Sequence, residues 1–157
     1  MGRKTDDKKK LYDEATLKLG LKFYAKSELP LEILYHLMSA NRLHSFSIIV
    51  IQTVMKDFGS FLKKHKRKTD LLFKLDSAKG IYVLFCQETQ VDGGFYFLQR
   101  LSAKIEEEGV SDVRASIVGV ESTQYPIRDL MFIVLDSFVK VQMAEAGEEK
   151  ILHRTVR

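Results

Sequence analysis

An α/β fold, a mixed β-sheet of about five strands flanked by helices, follows from three features of this sequence. Apolar runs of strand length alternate with amphipathic stretches of helix length, which implies helices layered on a sheet. One run, Phe46 to Ile51, is almost wholly apolar and rich in β-branched residues, the mark of a strand buried on both faces. The chain has 157 residues, enough for one domain with a substantial core.

Residues 1–11 are polar and are expected to form a lead-in, with a helix starting from about Leu11; residues 12–157 form the domain. Pro30 suits the start of a second helix, Leu31 to about Asn41, because its missing N–H is tolerated in a first turn. The strand Phe46–Ile51 follows. Val54, Phe58, Phe61 and Leu62 then recur on one face of a helix that runs to Lys66. Leu71–Leu75 and Ile81–Phe85 read as strands around a turn at Ser77–Gly80. Gly93 and Gly94 open a helix over Phe95–Glu107, and Gly109 closes it as a C′ residue. The glycine pair is read as a turn rather than as an anion site. Val113–Val120 is the next strand. Pro126 falls in the first turn of a last helix, Asp129–Val141, continuing towards Gly147, and Ile151–Val156 is a short closing strand. The first strand–helix–strand unit is expected to be a right-handed crossover.

No apolar run approaches the roughly 20 residues that span a bilayer, and the N-terminus lacks an apolar signal segment. The lone cysteine, Cys86, sits in an apolar run and reads as a buried small hydrophobe, which fits a reducing, cytoplasmic compartment. His36, His44 and His153 share no metal-ligand spacing, and no nucleophile–histidine–acid signature is present. The aromatic trio Phe95, Tyr96 and Phe97 is read as helix core and rim. The net charge of +4 is concentrated: Lys63, Lys64, Lys66, Arg67 and Lys68 surround His65 with no acid among them. Such a run is either a solvated helix end, where cations suit the dipole, or an anion site; the two readings are compatible.

The order of these segments, and one short frame within them, resembles the GGDEF family, the bacterial nucleotidyl-cyclase-like domains that make cyclic di-GMP. In that family an Arg-x-x-Asp inhibitory site lies five residues ahead of the Gly-Gly-(Asp/Glu)-Glu-Phe catalytic hairpin. Here Arg67-Lys68-Thr69-Asp70 holds that frame, followed by Leu71-Leu72-Phe73-Lys74-Leu75, but the pentad reads Asp76-Ser77-Ala78-Lys79-Gly80. Asp13-Glu14-Ala15-Thr16-Leu17-Lys18-Leu19 resembles the Asp-x-Leu-Thr-x-Leu opening of the family. Val113 to Val120 is similar to its Ser-Ile-Gly-Val strand, and Asp129–Val141 stands where its closing helix belongs.

The resemblance implies that catalysis is lost. Diguanylate cyclases hold their metal ions with one acid at the end of the first strand and another in the hairpin. Here those positions are Gln52 and Ala78, with Lys79 beside the second. Residues 53–69, between Gln52 and Asp70, make a stretch about half as long as in the enzymes, so the nucleotide-binding loop and one helix are missing. Asp76 is at best a displaced metal ligand.

The resemblance implies equally that the product-binding site is kept. Arginine suits the acceptor edge of guanine and a carboxylate suits its donor edge. Arg67 and Asp70 are the first two candidates for cyclic di-GMP. The family often adds an arginine from the helix after the hairpin, for which Arg100 is the candidate, ahead of Gln99 and Lys104. Arg67 is expected at an exposed helix end, where its replacement disturbs little else. The expected function is a non-catalytic cyclic di-GMP receptor that needs no cofactor and signals to a protein partner, with homodimerisation open. A ligand-independent GGDEF-like interaction module is the alternative. A nucleic-acid role for residues 63–68 is disfavoured, because the rest of the chain is near neutral and carries no reading motif.

Overall fold

A computed structural model describes residues 13–157; the expected lead-in over residues 1–11 and the helix start at Leu11 lie outside them. The described residues form one five-stranded mixed sheet and four helices. In chain order these are α1 (Glu14–Ser39), β1 (Phe46–Thr53), α2 (Phe58–His65), β2 (Leu71–Asp76) and β3 (Ile81–Gln87). After them come α3 (Val91–Glu107), β4 (Val113–Val120), α4 (Ile127–Gln142) and β5 (Ile151–Val156).

The sheet order is β2-β3-β1-β4-β5, which puts β1 at the centre. It runs antiparallel to both β3 and β4, while β5 joins β4 in parallel. β2 is antiparallel to β3 and therefore parallel to β1 across it. The apolar character of β1 follows from this position. Phe46, Ile48 and Val50 enter one core with Phe23, Leu31, Leu34, Val134 and Phe138 from α1 and α4. Ile49 and Ile51 enter the other with Leu62, Leu98, Leu101 and Ile105 from α2 and α3. Alternate side chains of a strand point to opposite faces, so a central strand covered on both sides is apolar throughout.

Pro30 does not start a helix. α1 runs unbroken from Glu14 to Ser39 with Pro30 inside it. Proline in a helix interior removes one ladder hydrogen bond and costs about 3 kcal/mol. Yet Leu19, Phe23, Ser27, Leu31 and Leu34 form one continuous buried face across it. Full burial of each large apolar side chain is worth about 1.5–3 kcal/mol, so this face outweighs the proline. Asp13 fixes the start, accepting the Thr16 N–H at 2.8 Å, and this bond holds its carboxyl below the usual aspartate range.

Three further boundaries differ from expectation. Val54 is 80% exposed and precedes α2, because β1 continues through Thr53 and the helix opens only at Phe58. α3 starts at Val91, so Gly93 and Gly94 lie within its first turn. A Cβ on Gly94 would stand 3.1 Å from Ile117 Cγ2, so close packing of α3 on the sheet accounts for this glycine. Pro126 is the N-cap of α4, and the helix stops at Gln142, well short of Gly147. The stop has a cause on the neighbouring strand: Arg114 Nη1 donates to the carbonyls of Val141, Gln142 and Ala144 at 2.7–2.9 Å. The Gln142 and Ala144 carbonyls, at and just beyond the helix end, gain a donor in this way, and the Val141 carbonyl, which also accepts the Ala144 N–H, gains a further one. Gly109 follows α3 at φ +84°, as expected of a C′ residue.

Among the described residues no helix is long and apolar enough to cross a membrane.

Candidate functional site

The basic run begins in the last turn of α2 and leads into a tight turn. Asp70 N–H donates to the Arg67 carbonyl at 3.1 Å, and Arg67 N–H donates to Asp70 Oδ2 at 2.9 Å. Short polar side chains that bond nearby backbone favour such turns. The Arg67 side chain then folds back on the same carboxylate, with Nε and Nη2 at 3.2 and 3.1 Å from Oδ1. Nη2 also donates to the Gln87 carbonyl at 2.8 Å and to Thr89 Oγ1. Gln87 Nε2 returns a bond to the Thr69 carbonyl at 3.1 Å, and Ser47 Oγ holds the Thr89 carbonyl at 2.7 Å. The Arg67–Asp70 turn is thereby clamped to the loop between β3 and α3.

Arg67 is exposed just beyond the end of α2, as expected, but the expectation that its replacement disturbs little is corrected by these bonds. The Arg67 side chain is 53% exposed, but the side chain of Asp70, which it neutralises, is only 3% exposed. A buried carboxylate is tolerable only when paired and hydrogen-bonded. Arg67 Nη1 has no hydrogen-bond or ion-pair partner among the described residues.

Arg67, Asp70 and Arg100 line one cavity of about 540 Å³. That size lies within the roughly 300–1,000 Å³ of small-molecule sites. Ile49, Cys86 and Phe97 supply apolar wall. Arg100 is exposed and makes no hydrogen bond or ion pair among the described residues, so its guanidinium is free for a ligand. Gln99 does not line the cavity, and Lys104 reaches it only through His65, with Nζ 3.4 Å from the ring Nδ1.

The cavity is also lined by residues that the sequence did not single out as site residues. Glu88, at φ +50°, accepts the His44 N–H at 3.0 Å and holds His44 Nδ1 at 3.2 Å. This pair ties the loop before β1 to the loop after β3. His44 and Glu88 lie in separate loops with no shared spacing, so only the fold brings them together.

Cys86 is buried, as expected. Burial first, and the Asp70 carboxylate second, push its thiol up to about 12. Reactivity belongs to the thiolate, so at pH 8 its thiolate fraction should be roughly a thousandfold below that of a free thiol. Iodoacetamide at that pH should label Cys86 only after denaturation. Rapid labelling of the folded chain would contradict the buried placement.

At the other end of the sheet, Gln52 Nε2 donates to the Lys79 carbonyl at 3.3 Å, and Gln142 Nε2 donates to Gln52 Oε1 at the same distance. Asp76 Oδ1 accepts the Lys79 N–H at 3.0 Å, closing its own turn. Gln52 and Asp76 are thus both engaged in holding the hairpin. Beside them lies a larger cleft of about 750 Å³, between the start of α1, the hairpin and the end of α4. It mixes Lys18, Lys22 and Lys79 with Asp13, Asp76 and Glu145, without a patch of one sign. Among the described residues no group of three or more His, Cys, Asp or Glu side chains is placed to hold a metal ion.

Comparison with protein-family models and with curated proteins finds no match for this chain.

Proposed function

We propose that this chain is a non-catalytic cyclic di-GMP receptor of degenerate GGDEF type, binding the dinucleotide in the Arg67–Asp70–Arg100 cavity and signalling to a protein partner. One observation carries the reading. Three residues chosen from the sequence frame, two in a turn and one on a later helix, line a single cavity of ligand size. Asp70 orients Arg67, and the unpartnered Nη1 and the free Arg100 guanidinium remain to engage guanine or phosphate. Charge-assisted contacts contribute about 1.5–3 kcal/mol each. Three of them, less the cost of association, support micromolar affinity, about −8 kcal/mol. Isothermal titration tests this directly; no heat at high micromolar dinucleotide overturns it.

The same reading includes the absence of cyclase activity, since Gln52 and Ala78 stand where the family holds acids. Incubation with GTP and either magnesium or manganese should yield no cyclic di-GMP. Product under either metal would overturn the alignment.

A ligand-independent interaction module is the second reading. It is favoured by the large apolar side chains that α1 leaves exposed: Leu17, Leu21, Leu29 and Ile33. Self-association or partner capture indifferent to added dinucleotide would support it over the receptor.

A further inference from the structure

The basic run contributes one side chain to the cavity that the receptor reading leaves unused. His65, the last residue of α2, lines the same space as Arg67 and Arg100. Its ring packs on Phe61, with centroids 4.4 Å apart, and is half-buried. Nδ1 faces Lys104 Nζ of α3 at 3.4 Å. An ammonium can only donate, so Nδ1 is the acceptor and the proton of the neutral ring is on Nε2.

We infer that His65 and Lys104 form an anion seat on the α2–α3 side of this cavity, one that takes up a proton as an anionic ligand arrives. For cyclic di-GMP, a deepening that rests on the receptor reading, the anion is a ligand phosphate. The argument is electrostatic. Burial, then Lys104, then Lys64 hold His65 below the ordinary histidine value of 6.5, so the empty cavity keeps the ring neutral at pH 7. Arg67 and Arg100 add to this positive field from the same cavity. Of the acids there, Asp70 is already engaged by Arg67, and Glu88 by His44. Asp92 also lines the cavity and is exposed at the start of α3. A phosphate set against His65 draws the Lys104 ammonium behind the ring towards itself and offsets the repulsion that disfavours imidazolium. The C-terminal end of α2 then favours the charged ring as well. His65 becomes a two-donor contact, and binding and protonation are linked.

Two measurements test the seat. The first follows the His65 ring protons by NMR against pH, for the protein alone, with saturating inorganic pyrophosphate, and with cyclic di-GMP. The expected result is a midpoint below 6.5 in the free protein, raised by either anion. The second is dinucleotide affinity, expected to be about threefold or more tighter at pH 6 than at pH 8, as a linked histidine requires. His65→Gln should abolish that dependence, Lys104→Gln should weaken binding at both values, and His44→Gln should leave the dependence intact. A His65 midpoint unmoved by both anions overturns the seat, as does a pH dependence that survives His65→Gln. If the dinucleotide binds with no shift at His65, the seat fails and the receptor reading stands. If pyrophosphate raises the midpoint while the dinucleotide does not bind, the receptor reading fails and the seat stands.

Discussion

Gly80→Ala is expected to destabilise the fold by about 4 kcal/mol or more, lowering Tm by about 10 °C. Gly80 ends the β2–β3 turn at φ +68°, a conformation that L side chains rarely adopt. Its carbonyl accepts the Thr53 N–H at 3.2 Å, joining the turn to the end of β1. A Cβ there would lie 1.9 Å from the Thr53 carbonyl oxygen. Both partners are backbone, so no rotamer change relieves the overlap. The turn must leave β1, and the bonds that Gln52 makes to the Lys79 carbonyl and to Gln142 go with it. Thermal denaturation followed by circular dichroism measures the loss. Gly93→Ala is the control: its Cβ would meet only Thr89 Cγ2, at 3.4 Å, in the first turn of α3. Alanine there should be neutral or slightly stabilising. A Gly80 variant melting within a few degrees of the parent would contradict the hairpin geometry.

Arg67→Ala is expected to weaken cyclic di-GMP binding at least tenfold and also to reduce stability, by about 3 kcal/mol. The first effect is the loss of a charge-assisted contact, for which about 1.4 kcal/mol is already tenfold. The second arises because Asp70 would stay buried with its carboxylate held only by the Arg67 backbone N–H and the Cys86 thiol. Removing one partner of a buried pair leaves an uncompensated charge, typically a loss of 3–5 kcal/mol; partial exposure of Arg67 puts this case at the lower end. Adding Asp70→Asn should restore part of the stability, since a neutral amide still accepts that N–H, but it should not restore binding. This divergence separates the two roles of one arginine. Lys63→Ala, in the same basic run, should change affinity little beyond a screened charge effect. If Lys63 and Arg67 behaved alike, the cavity would be a diffuse anion patch. If Arg67→Ala melted like the parent, the clamp would carry no energy.

The sequence by itself determined the order of elements and the burial of β1 on both faces, because strand and helix periodicities are written in neighbours two to four residues apart. The bounds of β4 and β5 were legible for the same reason: each is a short run set off by turn residues. Pro30 misled because its local penalty is visible in the sequence, whereas the buried face that overrides it exists only once α1 lies on the sheet. The end of α4 was illegible because the group that collects its carbonyls, Arg114, belongs to β4. The site divides in the same way. Arg67 and Asp70 are neighbours in a turn, and their relation survives as spacing in the chain. The clamp to Gln87 and Thr89 and the His44–Glu88 pair had no such trace. They join loops remote in sequence, and only the pairing of β3 with β2 on one side and with β1 on the other brings those loops to one end of the sheet, where hydrogen bonds effective within about 3 Å can form.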